Sequence, residues 1–228
     1  MFTSAASRLG AAAIATVAGL AVLAPAAQAA ERAPADTAVK LTAAGYTKYL
    51  TAQGTPEAKQ VLKRFLALGR GQQTVFLKDL QDRRIYQAFQ GRAKGTLGKS
   101  VSGAASYNKE VRFVSKATSV VTKDKNRTAT VRFTVTEQIF GIPVTSGTIT
   151  VSYPTAGQGP KKLTASAKVT NLNAAVAVKG SGFSAKGNTA QNSWVAVPQV
   201  KSFGKPVQKK QQLSVDRAGF VGSLTTLR

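Results

Sequence analysis

The sequence predicts an α+β protein, an N-terminal helical hairpin packed on an antiparallel β-meander of four or more strands. Three observations carry that expectation. Apolar residues recur at helical spacing between Thr55 and Gly91. A stretch rich in Gly, Ser, Lys and Ala follows, from Gly91 to Ser106. From Glu110 onward the period changes to two, with β-branched and aromatic residues alternating with Thr, Lys and Arg.

In chain order, Met1–Leu9 holds a single charge, Arg8, and precedes an apolar run from Gly10 to Leu23. Pro25 breaks the run, and Ala27-Gln28-Ala29 supplies small residues where a signal peptidase reads them. Residues 1–29 are therefore expected to be a cleavable export signal, cut after Ala29. The apolar run is shorter than the roughly 20 residues that span a bilayer, and no basic stop-transfer cluster follows it. Residues 30–54, with Pro34 and many small side chains, read as a flexible N-terminal lead.

Residues 55–91 carry the helical hairpin. Thr55 is placed as an N-cap, with Pro56 at the first helical position and Glu57 in the first turn. Val61, Leu62, Phe65, Leu66 and Leu68 give that helix an apolar face, and Gly69 is placed to end it. A second helix is expected from about Gln72, through Phe76, Leu77 and Leu80, continuing or kinking at Gln81-Asp82 into Ile85, Tyr86 and Phe89. Gly91–Ser106 reads as a linker or exposed loop.

Residues 107–228 read as an antiparallel β region, forming one domain with the helices if these cover its apolar face. Strands are expected over Glu110–Thr122, Thr128–Phe140, Ser146–Tyr153 and Lys161–Asn171, separated by a polar turn at 123–127, a break at Gly141-Ile142-Pro143 and a Gly/Pro turn at 154–160. Beyond Ala174, Val176–Lys179, Trp194–Val200 and Gln211–Val215 are strand-like, interrupted at Gly180-Ser181-Gly182, Gly187-Asn188 and Gly204-Lys205-Pro206.

The formal net charge is +23, and removal of the signal, which holds only Arg8, leaves +22. Cysteine is absent, so no disulfide supports the fold and thiol chemistry is excluded. Histidine is absent as well, which removes Ser-His-Asp and Cys-His catalysis and imidazole metal sites. No catalytic residue, metal site or cofactor is called for by any motif.

A glycosidase needs two carboxylates facing each other across a sugar, and Glu110 and Glu137, on the first and second expected strands, could face one another. Each sits among Lys or Arg, so a surface salt bridge is the simpler account. Asp79 and Asp82, beside Lys78, Arg83 and Arg84, read as helix-surface pairing. Val207–Gln212, dense in Gln and Lys, reads as an exposed polar loop or edge strand.

What remains is cationic. Arg112, Lys116, Arg132 and Lys168 fall on expected strands and project to the solvent side, with Thr hydroxyls between them and Phe113 and Phe133 on the opposite face. Such a face suits an anionic cell-wall polymer or another extracellular polyanion, met through charge-assisted hydrogen bonds. The expectation is an exported, non-enzymatic, basic protein that binds polyanions; the alternative is a secreted hydrolase or inhibitor whose site carries no recognisable motif.

Overall fold

The computed structural model describes residues 40–123, 127–156, 160 and 163–227. The export signal and residues 30–39 of the expected lead lie outside these residues. Four α-helices precede ten β-strands, and the strands form two antiparallel sheets of five.

Helix α1 (Ala43–Gln53) occupies part of the chain expected to be a flexible lead. Thr42 caps it by accepting from the Gly45 amide at 3.1 Å, and Gly54 ends it in the left-handed region at φ +64°. Only Tyr46 and Leu50, one turn apart, are buried on it, so the segment carries too thin an apolar stripe to be read as helical. Helix α2 (Pro56–Leu66) starts as expected, with the Thr55 hydroxyl accepting from the Ala58 amide at 3.1 Å.

The remaining helical sequence divides in two. Helix α3 (Arg70–Gln81) is followed by α4 (Arg83–Ala88), and Asp82, at ψ 103°, lies between them outside helical geometry. Its carboxylate accepts from the Arg84 amide at 2.9 Å, making it the N-cap of α4.

The expected linker is two strands, β1 (Gly91–Thr96) and β2 (Ser100–Ser106). Two of its glycines, Gly91 and Gly95, serve close packing. A Cβ at Gly91 would stand 2.2 Å from Ser115 Oγ, and one at Gly95 would stand 2.6 Å from the Phe220 ring. Composition alone reads such residues as loop, because the feature that selects them is a neighbour distant in sequence.

Strands β3 (Val111–Val121), β4 (Thr128–Ile139), β5 (Ile142–Pro154) and β6 (Thr164–Asn171) lie where the alternating pattern places them, each paired with the next. The break between β4 and β5 is Phe140-Gly141, with φ +51° and +71°, the two positive values of a type I′ turn; Ile142 and Pro143 belong to the strand. Strands β7 (Val176–Lys186), β8 (Thr189–Pro198), β9 (Val207–Val215) and β10 (Gly219–Leu227) form the other sheet with β1. Gly180-Ser181-Gly182 does not interrupt β7; it is a register shift inside it.

The strand order is β2-β3-β4-β5-β6 in one sheet and β1-β10-β9-β8-β7 in the other. The chain thus runs from β1 across to the first sheet, through it in sequence, and back through the second until β10 pairs with β1. Side chains from both inner faces fill the core, among them Val131, Phe133, Ile149, Trp194, Leu213 and Leu224. The contact is close: a Cβ at Gly222 on β10 would lie 2.5 Å from the Phe133 ring on β4.

The helices cover one end of this core. Tyr46 Oη donates to the Leu172 carbonyl at 3.0 Å, and Asn173 Nδ2 donates to the Leu80 carbonyl at 3.0 Å. Tyr46, Phe65 and Phe76 cluster at centroid separations of 5.0–5.5 Å above Ile139, Ile142 and Val144. A smaller cluster joins Tyr86 of α4 to Val176, Ala196, Phe203 and Val207.

Candidate functional site

Antiparallel register fixes which residues share a face, because paired residues point to the same side. On the β2–β6 sheet, Ser102, Lys116, Thr134, Thr148 and Lys168 form one cross-strand row, and Ser100, Thr118, Arg132, Thr150 and Ser166 form the next. Arg112 pairs with Ser106 and Gln138 in a third. Arg112, Lys116, Arg132 and Lys168 are all exposed on this outer face. Their alternation with buried Val111, Phe113, Ala117, Val131 and Phe133 is what made the placement legible.

Lys116 and Lys168 are three strands apart, roughly 14 Å at the usual strand spacing. The Arg112 Nε donates to Gln138 Oε1 at 2.7 Å, and hydroxyls between the cations bond to one another, Thr134 to Thr148 and Thr130 to Ser152, each at 2.9 Å.

The other sheet is similarly charged. Lys94, Val221, Ser214, Thr189 and Lys186 form a row with a lysine at each edge, while Arg92, Lys179 and Lys210 lie in neighbouring rows. The cations therefore occupy both outer faces. No carboxylate points outward from any of the ten strands. Between described residues the ion pairs are Arg84–Asp82 at 2.7 Å and Lys109–Glu110 at 3.4 Å, and neither involves a strand residue.

The described carboxylates lie elsewhere. Glu57, Asp79 and Asp82 belong to the helical end, Glu110 precedes β3, and Asp216 occupies the turn before β10, where it accepts from the Ala218 and Gly219 amides. Glu137 is on β4 but faces inward and is 1% exposed. This corrects the expected surface salt bridge between Glu137 and neighbouring cations. Counting strand parity from Phe133 assigns Glu137 to the buried side, and its charge argued for the opposite side.

Burial pushes the Glu137 carboxyl up to about 7, with Asp79 adding to the effect and the Thr145 hydroxyl and Lys209 opposing it. Glu137 Oε2 and Asp79 Oδ2 are buried with no hydrogen-bond partner among the described residues. Asp79 is pushed up to about 6, by burial first and then by the nearby Glu110 and Asp82 carboxylates, with Lys78 opposing.

Lys209 corrects a second expectation, that Val207–Gln212 is an exposed loop or edge strand. The segment is central in its sheet, between β10 and β8, and Lys209 and Gln211 are fully buried. The Lys209 Nζ donates to the carbonyls of Gln87 and Phe89 at 3.1 and 2.6 Å and to Thr226 Oγ1 at 2.7 Å. It also stands 5.5 Å from the ring centroids of Tyr86 and Phe89. Burial pushes its ammonium down to about 7, and Glu137 resists that shift. Both groups are sealed beneath the helices, so they act on the stability of the fold and are closed to a ligand from outside.

No helix among the described residues is long and apolar enough to cross a membrane. Neither a protein-family model nor a curated protein nor a solved structure matches this chain.

Proposed function

We propose that this chain is an exported, non-enzymatic protein that binds extracellular polyanions, an anionic cell-wall polymer foremost, through the outer faces of its β-sandwich. The observation that carries the reading is the segregation of charge. Arg112, Lys116, Arg132 and Lys168 on one face, and Arg92, Lys94, Lys179, Lys186 and Lys210 on the other, have no outward carboxylate between them on any strand. Sheet surfaces normally intersperse both signs, which lowers self-repulsion. Cations spaced over two broad faces suit a polymer that makes many weak contacts better than a small ion held in one cradle. The hydroxyl rows between them add donors for phosphate or sugar oxygens.

Export rests on residues 1–29, whose charged start, apolar run and Ala27-Gln28-Ala29 fit a cleaved signal.

The test is retention of the processed protein on immobilised wall teichoic acid, with long-chain polyphosphate and monomeric phosphate as competitors. Retention should weaken steadily as salt rises, because screening lengths fall to about 8 Å at physiological ionic strength. Polyphosphate should displace the protein and monomeric phosphate should not. The triple variant Lys116→Glu, Arg132→Glu, Lys168→Glu should elute at lower salt. Absence of retention at low salt, or retention indifferent to salt, overturns the reading.

A further inference from the structure

One hollow in the described structure lies on neither sheet face. A groove of about 880 Å³ runs along α3, between that helix, the start of α1 and the short 3-10 turn at Lys201–Phe203. Arg70 and Gln81 mark its ends on α3, so it extends roughly 16 Å at 1.5 Å per residue. That is within the size range of small-molecule sites.

Its polar lining is almost entirely occupied by the protein itself. Gln81 Oε1 accepts from the Leu41 amide at 2.7 Å and from Ser202 Oγ at 2.8 Å, while its Nε2 donates to the Leu77 carbonyl. Gln73 Nε2 donates to the Phe65 and Leu68 carbonyls, and Thr74 Oγ1 to the Arg70 carbonyl. Arg83 donates to the Lys205 carbonyl at 3.0 Å. Asp82 is held in two contacts by Arg84, at 2.7 and 3.0 Å, and that pairing keeps its carboxyl below the usual range.

Two kinds of group remain for an occupant. Leu41, Ala43 and Leu77 offer apolar surface, and Lys40, Arg70 and Lys78 offer cations that no described carboxylate pairs with. Neutral donors and acceptors are committed elsewhere, so a sugar or a peptide backbone would meet few partners there. A molecule with an apolar body and one anionic head satisfies both remaining features.

We propose that this groove binds a small anionic amphiphile, an acyl chain ending in a carboxylate or phosphate, with the chain against Leu41 and Leu77 and the head at Arg70 or Lys78. The site is independent of the sheet faces, and neither proposal requires the other.

Calorimetric titration of the processed protein with dodecanoate, dodecyl phosphate, dodecanol and inorganic phosphate tests it, with each amphiphile kept below its micelle concentration. Dodecanoate and dodecyl phosphate should saturate at one per chain. Dodecanol should bind about ten-fold more weakly or worse, the scale of losing one charge-assisted hydrogen bond, and inorganic phosphate should give no saturable heat. The double variant Arg70→Glu, Lys78→Glu should weaken dodecanoate by about ten-fold or more, while Arg132→Glu on the sheet leaves it unchanged. Dodecanol matching dodecanoate, many equivalents bound without regard to Arg70 and Lys78, or no binding at all would overturn the proposal.

Discussion

The Lys209 ammonium donates to the carbonyl oxygen of Phe89 at 2.6 Å, so a strand from the centre of one sheet neutralises the last turn of α4. The carbonyls at a helix C-terminus carry partial negative charge, which offsets part of the cost of desolvating a cation there. Lys209→Met keeps the apolar stem and removes the three bonds. It should destabilise the protein by about 2–4 kcal/mol, the cost of stranding buried acceptors. The check is the urea midpoint at constant m, followed through Trp194, the sole tryptophan and fully buried.

Glu137 and Lys209 give stability an uncommon pH profile. The Glu137 carboxyl rises from 4.5 to about 7 on folding, so its contribution is complete below pH 4.5 and is lost as pH climbs through 7. The Lys209 ammonium falls from 10.5 to about 7, so its contribution is complete above pH 10.5 and is lost as pH drops through 7. Thermal midpoints should therefore dip near neutrality. Asp79 deepens the acid-side decline between pH 3.8 and about 6, and Asp82, whose carboxyl is lowered by Arg84, acts in the opposite sense at the acid extreme. Glu137→Gln should flatten the descent from pH 4.5 to 7 and preserve the recovery above it. A maximum near pH 7 in the unaltered protein would contradict this account.

Gly222→Ala adds a single methyl at 2.5 Å from a fully buried ring on the facing sheet. Overpacking of that kind should cost about 1–3 kcal/mol, read as a lowered thermal midpoint. Gly103→Ala on β2, where nothing lies within 4 Å, is the control and should leave the midpoint within about 0.5 kcal/mol of the parent.

Expression with the leader intact should deliver the protein across the membrane with Ala30 as its new N-terminus, as read by terminal sequencing. Pro25→Leu with Ala29→Leu should leave the leader attached.

Strands β3 to β6 could be read from the sequence because each buries one face, and period-two alternation records that directly. The α2 start was legible for an equally local reason, a capping threonine followed by proline. Strand β1 was not legible, because Gly91 and Gly95 are selected by Val135 and Phe220, residues no window around them contains, and β2 was not because nearly all of it is exposed and it carries no buried alternation. Glu137 and Lys209 were misread together: charge argues for the surface, and only the tertiary arrangement supplies the helix carbonyls and mutual field that make burial tolerable. Of the candidate site, the Arg112, Lys116, Arg132 and Lys168 face was visible through phase. The matching cations of the second sheet were not, since Arg92 and Lys94 lie in the supposed linker.

Pairing of β1 with β10 joins Gly91 to Leu224 across most of the described chain. During vectorial synthesis, β1 must wait with one flank unpaired until residues beyond Gly219 have emerged. A polypeptide interrupted before that point presents an open flank of a kind prone to intermolecular pairing, so this architecture favours delivery of the whole chain before it closes.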